Sequence, residues 1–388
     1  MMRDVFQARY GAGAGARQVW APGRVNLIGE HTDYNLLPVF PMALQFGVRI
    51  LFRARADSAV RLAATAAGFE DRTFNLEAEI PPYAAGDWGN YAKAAAQALV
   101  RHLKIKRGLD AVVDGDLPMS AGLSSSSALV VAMALALLDA NGAEVDRLEL
   151  AGWMAAAEHY VGTRGGGMDQ AICLGGKRGH AALIEFAPLR LTPVPVPSGW
   201  RFLVAHSMVE ASKSAGAREH YNQCVADCRA AAAVMGDYRS LVAESSQQEV
   251  LERGRARLPE RLFRRWRHQI TEGRRVYQAR DAMEASDAAQ FGSLMLASHA
   301  SMRDDYRISC AEVDRLVVAA MDAGAFGARM TGAGFGGFVV ALTDQASWPQ
   351  VARRLEEQFY SPQGISASAT GRMFAVEPSP GAAVSPHE

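Results

Sequence analysis

An α+β fold in two domains is what this sequence predicts, from three observations. Strand-like and helix-like segments mix without the strict alternation of a doubly wound parallel sheet. The chain has 388 residues, more than one core of ordinary size holds. A stretch punctuated by proline, "APLRLTPVPVPSGW" at 187–200, reads as a seam between domains. This places an N-terminal domain at 1–192, a C-terminal domain at 193–376 and a flexible tail, "EPSPGAAVSPHE", at 377–388.

The elements follow in order. "GAGAGA" at 11–16 is a flexible Gly/Ala stretch, and "RVNLI" at 24–28 and "FGVRILFRA" at 46–54 have the apolar content of strands. "NYAKAAAQALVRHL" at 90–103 reads as a helix with Ala94, Leu99 and Leu103 towards the core. "GLDAVVDGDLP" is a short strand and turn, and "ALVVAMALALL" at 128–138 is a buried helix too short to span a bilayer. Helix returns at 147–161, "GHAALIEF" at 179–186 is a strand, and "RFLVAHS" opens the second half. Helices occupy 217–323 and "GFVVALT" at 337–343 is a buried strand.

Lys plus Arg and Asp plus Glu are 41 each, so global charge offers nothing to nucleic acid or an anionic membrane. The N-terminus has no apolar signal core, which points to a soluble cytoplasmic protein. Cys173, Cys224, Cys228 and Cys310 match neither a disulfide framework nor a metal site and read as reduced, partly buried thiols. The Arg-rich "RGRARLPERLFRRWRH" at 253–268 reads as a solvated helix face with Leu262, Phe263 and Trp266 turned inward.

Chemistry concentrates in four stretches. "LPMSAGLSSSSALVV" at 117–131 runs from a glycine turn and four serines into an apolar helix. Small residues let amides approach an anion, and the helix N-terminus adds unpaired N–H groups. One serine suffices for an N-cap, so four in a row favour phosphate binding. No Walker A loop is present, and neither H-R-D-L nor D-F-G occurs. "MTGAGFGGFVVAL" at 330–342 satisfies G-x-G-x-x-G but leads into a strand, not the helix a dinucleotide fold needs. In "VGTRGGGMDQAI" at 161–172, Asp169 is either a helix cap or a group that orients or deprotonates a hydroxyl. Finally, "GRVNLIGEHTDYN" gathers Glu30, His31 and Asp33 into four positions.

Together the fingerprint around Glu30, the serine loop and "TGAGFGG" resemble the GHMP kinase superfamily and, within it, the galactokinases, over residues 18–375. The resemblance implies a two-domain GHMP kinase fold with its active site in the interdomain cleft. It also implies Mg²⁺-dependent transfer of the ATP γ-phosphoryl group to the C1 hydroxyl of a hexose, galactose above all. Carried over by motif position, Asp169 is the catalytic aspartate and Arg24 stabilises the transferring group and restrains Asp169. Glu30, His31 and Asp33 bind sugar hydroxyls, with Thr32 in the same substrate-binding motif, Gly166 lies against the sugar and Tyr221 lies over it. Ser120, Ala121, Gly122, Leu123, Ser124, Ser125 and Ser126 wrap the triphosphate, with Ser126 a Mg²⁺ ligand; Trp88, Asn90 and Tyr91 fall in the region of the adenine.

Three departures stand out. Leu36, Leu37 and Pro38 occupy a turn that galactokinases build with glycine. Ala157 holds the place of the usual Mg²⁺-binding glutamate, and Glu158, one step along, is the substitute. "GTRGGGMDQAI" and "MVEASK" resemble the N-acetylgalactosamine kinase and fungal galactokinase branch, whereas Tyr221 points back to galactose. The alternatives are therefore N-acetylgalactosamine or another hexose as acceptor, or a non-catalytic sugar and ATP sensor.

Overall fold

A long antiparallel hairpin, strand β1 (Arg17–Asn26) against β2 (Pro41–Ala54), carries the first residues of the site. The pairing is regular from Arg17↔Phe52 to Pro22↔Gly47 and slips by a bulge before Arg24↔Ala43. Pro22 has no N–H to give the ladder, and Gly23 cannot carry a Cβ, which would lie 2.4 Å from Leu117 and 2.7 Å from the Leu123 carbonyl. The Arg24 amide accordingly leaves the ladder and donates to Leu123 O at 3.2 Å. The bulge re-aims Arg24. The computed structural model describes residues 1–11, 15–117, 123–162, 165–210 and 217–386, so half of the Gly/Ala stretch at 11–16 lies outside it.

Four further strands complete the first sheet. Strands β3 (Ala59–Ala64), β4 (Arg72–Asn75), β5 (Leu109–Gly115) and β12 (Ala383–Pro386) give the order β12-β1-β2-β5-β3-β4, with β3 and β5 parallel. Helix α1 (Met2–Tyr10) packs Phe6 on Leu51, Ala63 and Val112 on one face. The other face is covered by α2 (Gly89–Leu103), α3 (Ser125–Asn141), α4 (Arg147–Ala157) and α5 (Met168–Gly175). Helix α3 is apolar nearly all round and buried along its length, as its sequence requires. In α2, Ala94 and Leu99 are buried but Leu103 is 36% exposed, against expectation. It is the last helical residue, and Lys104 at φ 54° turns the chain away there.

The proline-rich seam is itself a strand. Strands β6 (His180–Glu185) and β7 (Arg190–Pro195) form a hairpin that puts Pro193 opposite Ala182 and Pro195 opposite His180. A two-stranded ribbon leaves one side of β7 unpaired, the one place where strand prolines cost little. The second sheet has the antiparallel order β11 (Met373–Val376), β8 (Trp200–His206), β10 (Phe338–Asp344), β9 (Gly327–Thr331). Around it lie α6 (Ala217–Met235), α7 (Tyr238–Ala243), α8 (Gln247–Arg257), α9 (Glu260–Glu284), α10 (Ala288–Ser301), α11 (Ala311–Asp322) and α12 (Trp348–Leu355). Helices α8 and α9 divide the Arg-rich stretch, and Phe263 and Trp266 are buried as expected. One apolar core joins α3 and β2 to Phe202, Phe291 and Phe338; a second, among α6, α9 and α11, receives Leu37 from the first half.

The tail at 377–388 is not flexible over its described length. After β11 the chain crosses back to the first sheet, where Ser379 N donates to Ala43 O at 3.0 Å and Gly381 N to Gly176 O at 2.7 Å. Ala382 N reaches Cys173 O at 2.7 Å, and β12 then pairs with Arg17–Trp20 of β1. Its small residues and prolines read as disorder locally, yet Gly381 is there for fit: a Cβ would lie 2.4 Å from Leu174 O. No described helix is long and apolar enough to cross a membrane. Truncation after Val376 is expected to lower the thermal unfolding midpoint by at least roughly 5 °C in calorimetry.

Candidate active site

The segment from Leu27 to Pro38 leaves β1 as a loop, yet its first half is buried. Gly29 has φ 95° and a Cβ there would meet Val276 at 2.8 Å and Val39 at 2.9 Å, so only glycine fits. The Thr32 hydroxyl ties the neck, lying 2.9 Å from Gly29 O and 2.8 Å from Pro38 O. Helix α9 supplies partners for the loop backbone: His268 Nε2 at 3.0 Å from Glu30 O, Gln269 Nε2 donating to His31 O at 2.9 Å, and Glu272 Oε1 accepting from Gly29 N at 2.9 Å. The Glu30 carboxylate accepts from Asn26 Nδ2 and Arg329 Nη2 at 3.0 Å each and from Gly332 N at 2.9 Å. Among the described residues Oε1 takes only one of these bonds, which leaves it a lone pair.

Arg24 and Asp169 meet beside this loop. Arg24 Nε donates to Asp169 Oδ1 at 2.7 Å and Nη2 to Oδ2 at 3.1 Å, the bidentate fork that fits guanidinium to carboxylate. Asp169 stands in the first turn of α5, and Ser124, at the start of α3, donates its hydroxyl to Oδ2. Asp33 Oδ1 accepts from Tyr34 N at 2.9 Å and Oδ2 from Gly166 N at 3.1 Å. A Cβ on Gly166 would lie 2.3 Å from Asp33 C, so this approach requires glycine. Burial, with Asp169 nearby, raises the Asp33 carboxyl to about 6 against the pull of these amides.

An aromatic wall closes the group. Rings of His31 and Tyr221 have centroids 5.2 Å apart, and Tyr34 and Tyr221 5.8 Å. Burial pulls the His31 imidazole from 6.5 to about 3, so it is neutral. Both its nitrogens are engaged, Nδ1 with Tyr34 Oη at 2.9 Å and Nε2 with Ala333 O at 3.1 Å. No ring nitrogen of His31 is left for a ligand hydroxyl, which corrects the expectation that His31 binds one: its ring supports the wall instead. Thr32, fully buried, has the neck of the loop as its task. The glycine motif 332–337 joins β9 to β10, with φ 95° at Gly332, 91° at Gly334 and 133° at Gly336. It opens a strand, as expected, which removes the dinucleotide reading.

Of the serine loop, Ser120, Ala121 and Gly122 lie outside the described residues. Leu123 is buried, with its carbonyl on Arg24. Ser125 is exposed and Ser126 half-buried at the open N-terminus of α3, where amides have no partner within the helix. Ser127, which sequence reasoning passed over, donates to Glu158 Oε1 at 2.5 Å. Burial raises Glu158 to about 7, with Asp169 adding to the effect of burial. No described cluster of three His, Cys, Asp or Glu could hold a metal. A Mg²⁺ ion that takes one or two protein oxygens beside phosphates and water needs none, and the Glu158 carboxylate next to the serines fits it. Asn90 is committed to the loop before α2, accepting from Tyr83 N at 2.8 Å and donating to Ala84 O at 3.0 Å, and Trp88 Nε1 donates to Glu70 O at 3.0 Å.

Sequence reasoning also missed Arg329, His268, Gln269, Glu272 and Tyr306, all buried. Spacing of His268 and Glu272 at i and i+4 puts both on one face of α9, a signal hidden among arginines. Although burial alone would raise Glu272, Arg275 beside it, with His268, holds it at about 2. Burial lowers His268 from 6.5 to about 4. Its folded pKa lies below the unfolded one, so the stability it contributes as a neutral ring is present above 6.5 and lost as pH falls towards 4. The stability advantage of wild type over His268→Gln is therefore expected to shrink across that interval in calorimetric melts. Asp33 and Glu158 titrate alike in both proteins and cancel.

Comparisons with known proteins agree with this fold. Family models match at residues 4–54 (galactokinase galactose-binding signature), 90–177 (GHMP kinases N terminal domain) and 279–361 (GHMP kinases C terminal). The chain is 41% identical over 330 residues to a galactokinase of Chloroflexus aggregans, covering 84% of this chain and 83% of that one. It is 38% identical over 373 residues to a galactokinase of Roseiflexus, covering 95% and 93%. The structure of Lactococcus lactis galactokinase complexed with galactose superposes with a TM-score of 0.85 at 29% identity, over 98% of both chains. A mevalonate kinase of L. major shares the fold, with a TM-score of 0.63 at 21% identity over 93% and 95%. The GHMP kinase fold, the fingerprint around Glu30 and identity along most of the chain together make this protein a member of the galactokinase family.

Proposed function

We propose that this chain transfers the γ-phosphoryl group of ATP to the C1 hydroxyl of galactose, giving galactose 1-phosphate and ADP. The observation that carries the reading is the Arg24–Asp169 fork with Ser124 at the head of α3, set beside a loop of acceptor groups. Among the described residues, three donors occupy three lone-pair sites of the Asp169 carboxylate, and the open one is on Oδ1. There Asp169 receives the C1 hydroxyl, orients it and takes its proton as the oxygen–phosphorus bond forms. The bond from phosphorus to the bridging oxygen breaks, and ADP leaves with that electron pair. Because the transition state is loose, positioning and charge stabilisation outweigh proton removal. Arg24, held charged by Asp169 and Glu30 despite its burial, serves both.

Sugar hydroxyls meet Glu30 Oε1, the Asp33 carboxylate and the backbone near Gly166, under Tyr221. Carboxylates suit polyol recognition because an unmatched hydroxyl leaves a buried acceptor unpaired. The triphosphate lies along Ser124, Ser125 and Ser126, where helix amides face it. Ser126 and Glu158 would hold Mg²⁺, which when bound neutralises charge on the β- and γ-phosphates.

The test is ATP consumption by purified protein with Mg²⁺ and galactose, N-acetylgalactosamine or glucose. Turnover is expected with galactose; preference for N-acetylgalactosamine would overturn the substrate, and sugar binding without turnover would support a sensor instead. Asp169→Asn is expected to lower kcat by about 10²–10⁴-fold with sugar binding retained, and a near-normal rate would remove it from the chemistry. Protonation turns one Asp33 oxygen from acceptor into donor, and burial puts that change at about 6, so kcat/KM for galactose should fall as pH drops through that value. Asp33→Asn should lose this limb of the profile.

A further inference from the structure

A chain of hydrogen bonds runs behind the aromatic wall. Cys228 Sγ lies 3.1 Å from Tyr306 Oη, Tyr306 Oη 2.6 Å from Tyr34 Oη, Tyr34 Oη 2.9 Å from His31 Nδ1, and His31 Nε2 3.1 Å from Ala333 O. Its direction is forced. A carbonyl only accepts, so His31 Nε2 carries the proton, and a neutral ring then has Nδ1 as acceptor. Tyr34 spends its one hydrogen on Nδ1, so its oxygen accepts from Tyr306, which in turn accepts from the Cys228 thiol. Every link has one role, and the chain joins α6, the sugar loop and the glycine turn between β9 and β10.

Tyr306 is the fixed point of this chain. It ends a π-helical turn over Met302–Tyr306, is fully buried, and is followed by Arg307 at φ 53°. The His268 ring packs 4.4 Å from it, and Arg265 Cζ stands 4.9 Å over its face. These contacts hold the ring whether or not the hydroxyl is present. Tyr34, by contrast, sits on a one-turn 3₁₀ segment, Asp33–Asn35, next to Asp33. Cys228 and Tyr221 are seven residues apart on α6 and share its face.

We infer that Tyr306 is a positioning residue for the sugar pocket: through its hydroxyl it orients Tyr34 and the His31 ring, and so sets the wall formed with Tyr221. The inference rests on the sugar-kinase reading above. It assigns Tyr306 to sugar affinity, with no part in ATP binding or in the phosphoryl transfer step. Tyr306→Phe leaves the ring packing and removes only the donor to Tyr34; Tyr34→Phe cuts the same chain from the other side.

The experiment measures galactose KM, ATP KM and kcat for wild type, Tyr306→Phe, Tyr34→Phe and the double variant, with calorimetric titration of galactose. Each single variant is expected to raise galactose KM by about tenfold, with ATP KM within about twofold and kcat within about threefold of wild type. The double variant should be no worse than the singles, because one chain is cut in both. Additive losses, a parallel rise in ATP KM, or a fall in kcat at unchanged galactose KM would overturn the inference. If Tyr306→Phe fails to fold, the Tyr34→Phe values decide by the same criteria. Wild type inactive on galactose would overturn both this inference and the kinase reading; an active wild type with unaltered galactose KM in the variants would overturn this one alone.

Discussion

Burying a loop is the constraint on which this structure depends. From Leu27 to Thr32 the chain has no regular ladder, yet all six residues are buried, so its backbone groups need partners from elsewhere. Phe40 and Thr32 supply some of them, and the far half of the sequence supplies those around Glu30: His268, Gln269 and Glu272 on α9, with Arg329 on β9 and the Gly332 amide holding the Glu30 side chain. The loop and the second half therefore form a single packed unit, and the glycine turn that follows β9 is anchored by the loop it supports. Removing one charged partner of such a buried pair costs about 3–5 kcal/mol, so the site and the fold share their stability.

Charge is arranged around that loop with little room for change. Arg24 lies within reach of the fields of Asp169, Glu30 and Asp33, and Arg329 offsets Glu30 from below. His31 and His268 stay neutral because burial penalises their charged forms, which frees each ring to be donor at one nitrogen and acceptor at the other. Asp33 shows the opposite consequence of burial, a carboxyl raised towards the working pH. In the proposed reaction the tasks are separate: Asp169 and Arg24 face the reacting atoms, while neutral rings and hydroxyls shape the walls.

Much of this was legible in the sequence. The glycine cluster at 332–337 and the all-apolar helix after the serines each impose local sterics or periodicity that survive in any context. The resemblance to galactokinases likewise placed Asp169, Asp33 and Gly166 in one site, and the structure brings them together. The polar residues of α9 were obscured because arginines dominate their neighbourhood, and Ser127 because four like residues in a row do not say which one turns inward. The tail was misread since glycine, alanine and proline look alike whether they are unstructured or fitted tightly against a strand.

By itself, then, the sequence determined the α+β class, the family, the loops that need glycine and the cluster of groups able to bind a polyol. Only the tertiary structure decided the pairings: Arg24 with Asp169 across 145 residues, Glu30 with Arg329 across 299, and β12 on β1. The division has a physical cause. Backbone sterics and hydrophobic period act over a few residues and are written in adjacent letters. The choice of partner for a buried charge or an unpaired strand edge depends on which surfaces the whole chain brings together, and no short stretch records it.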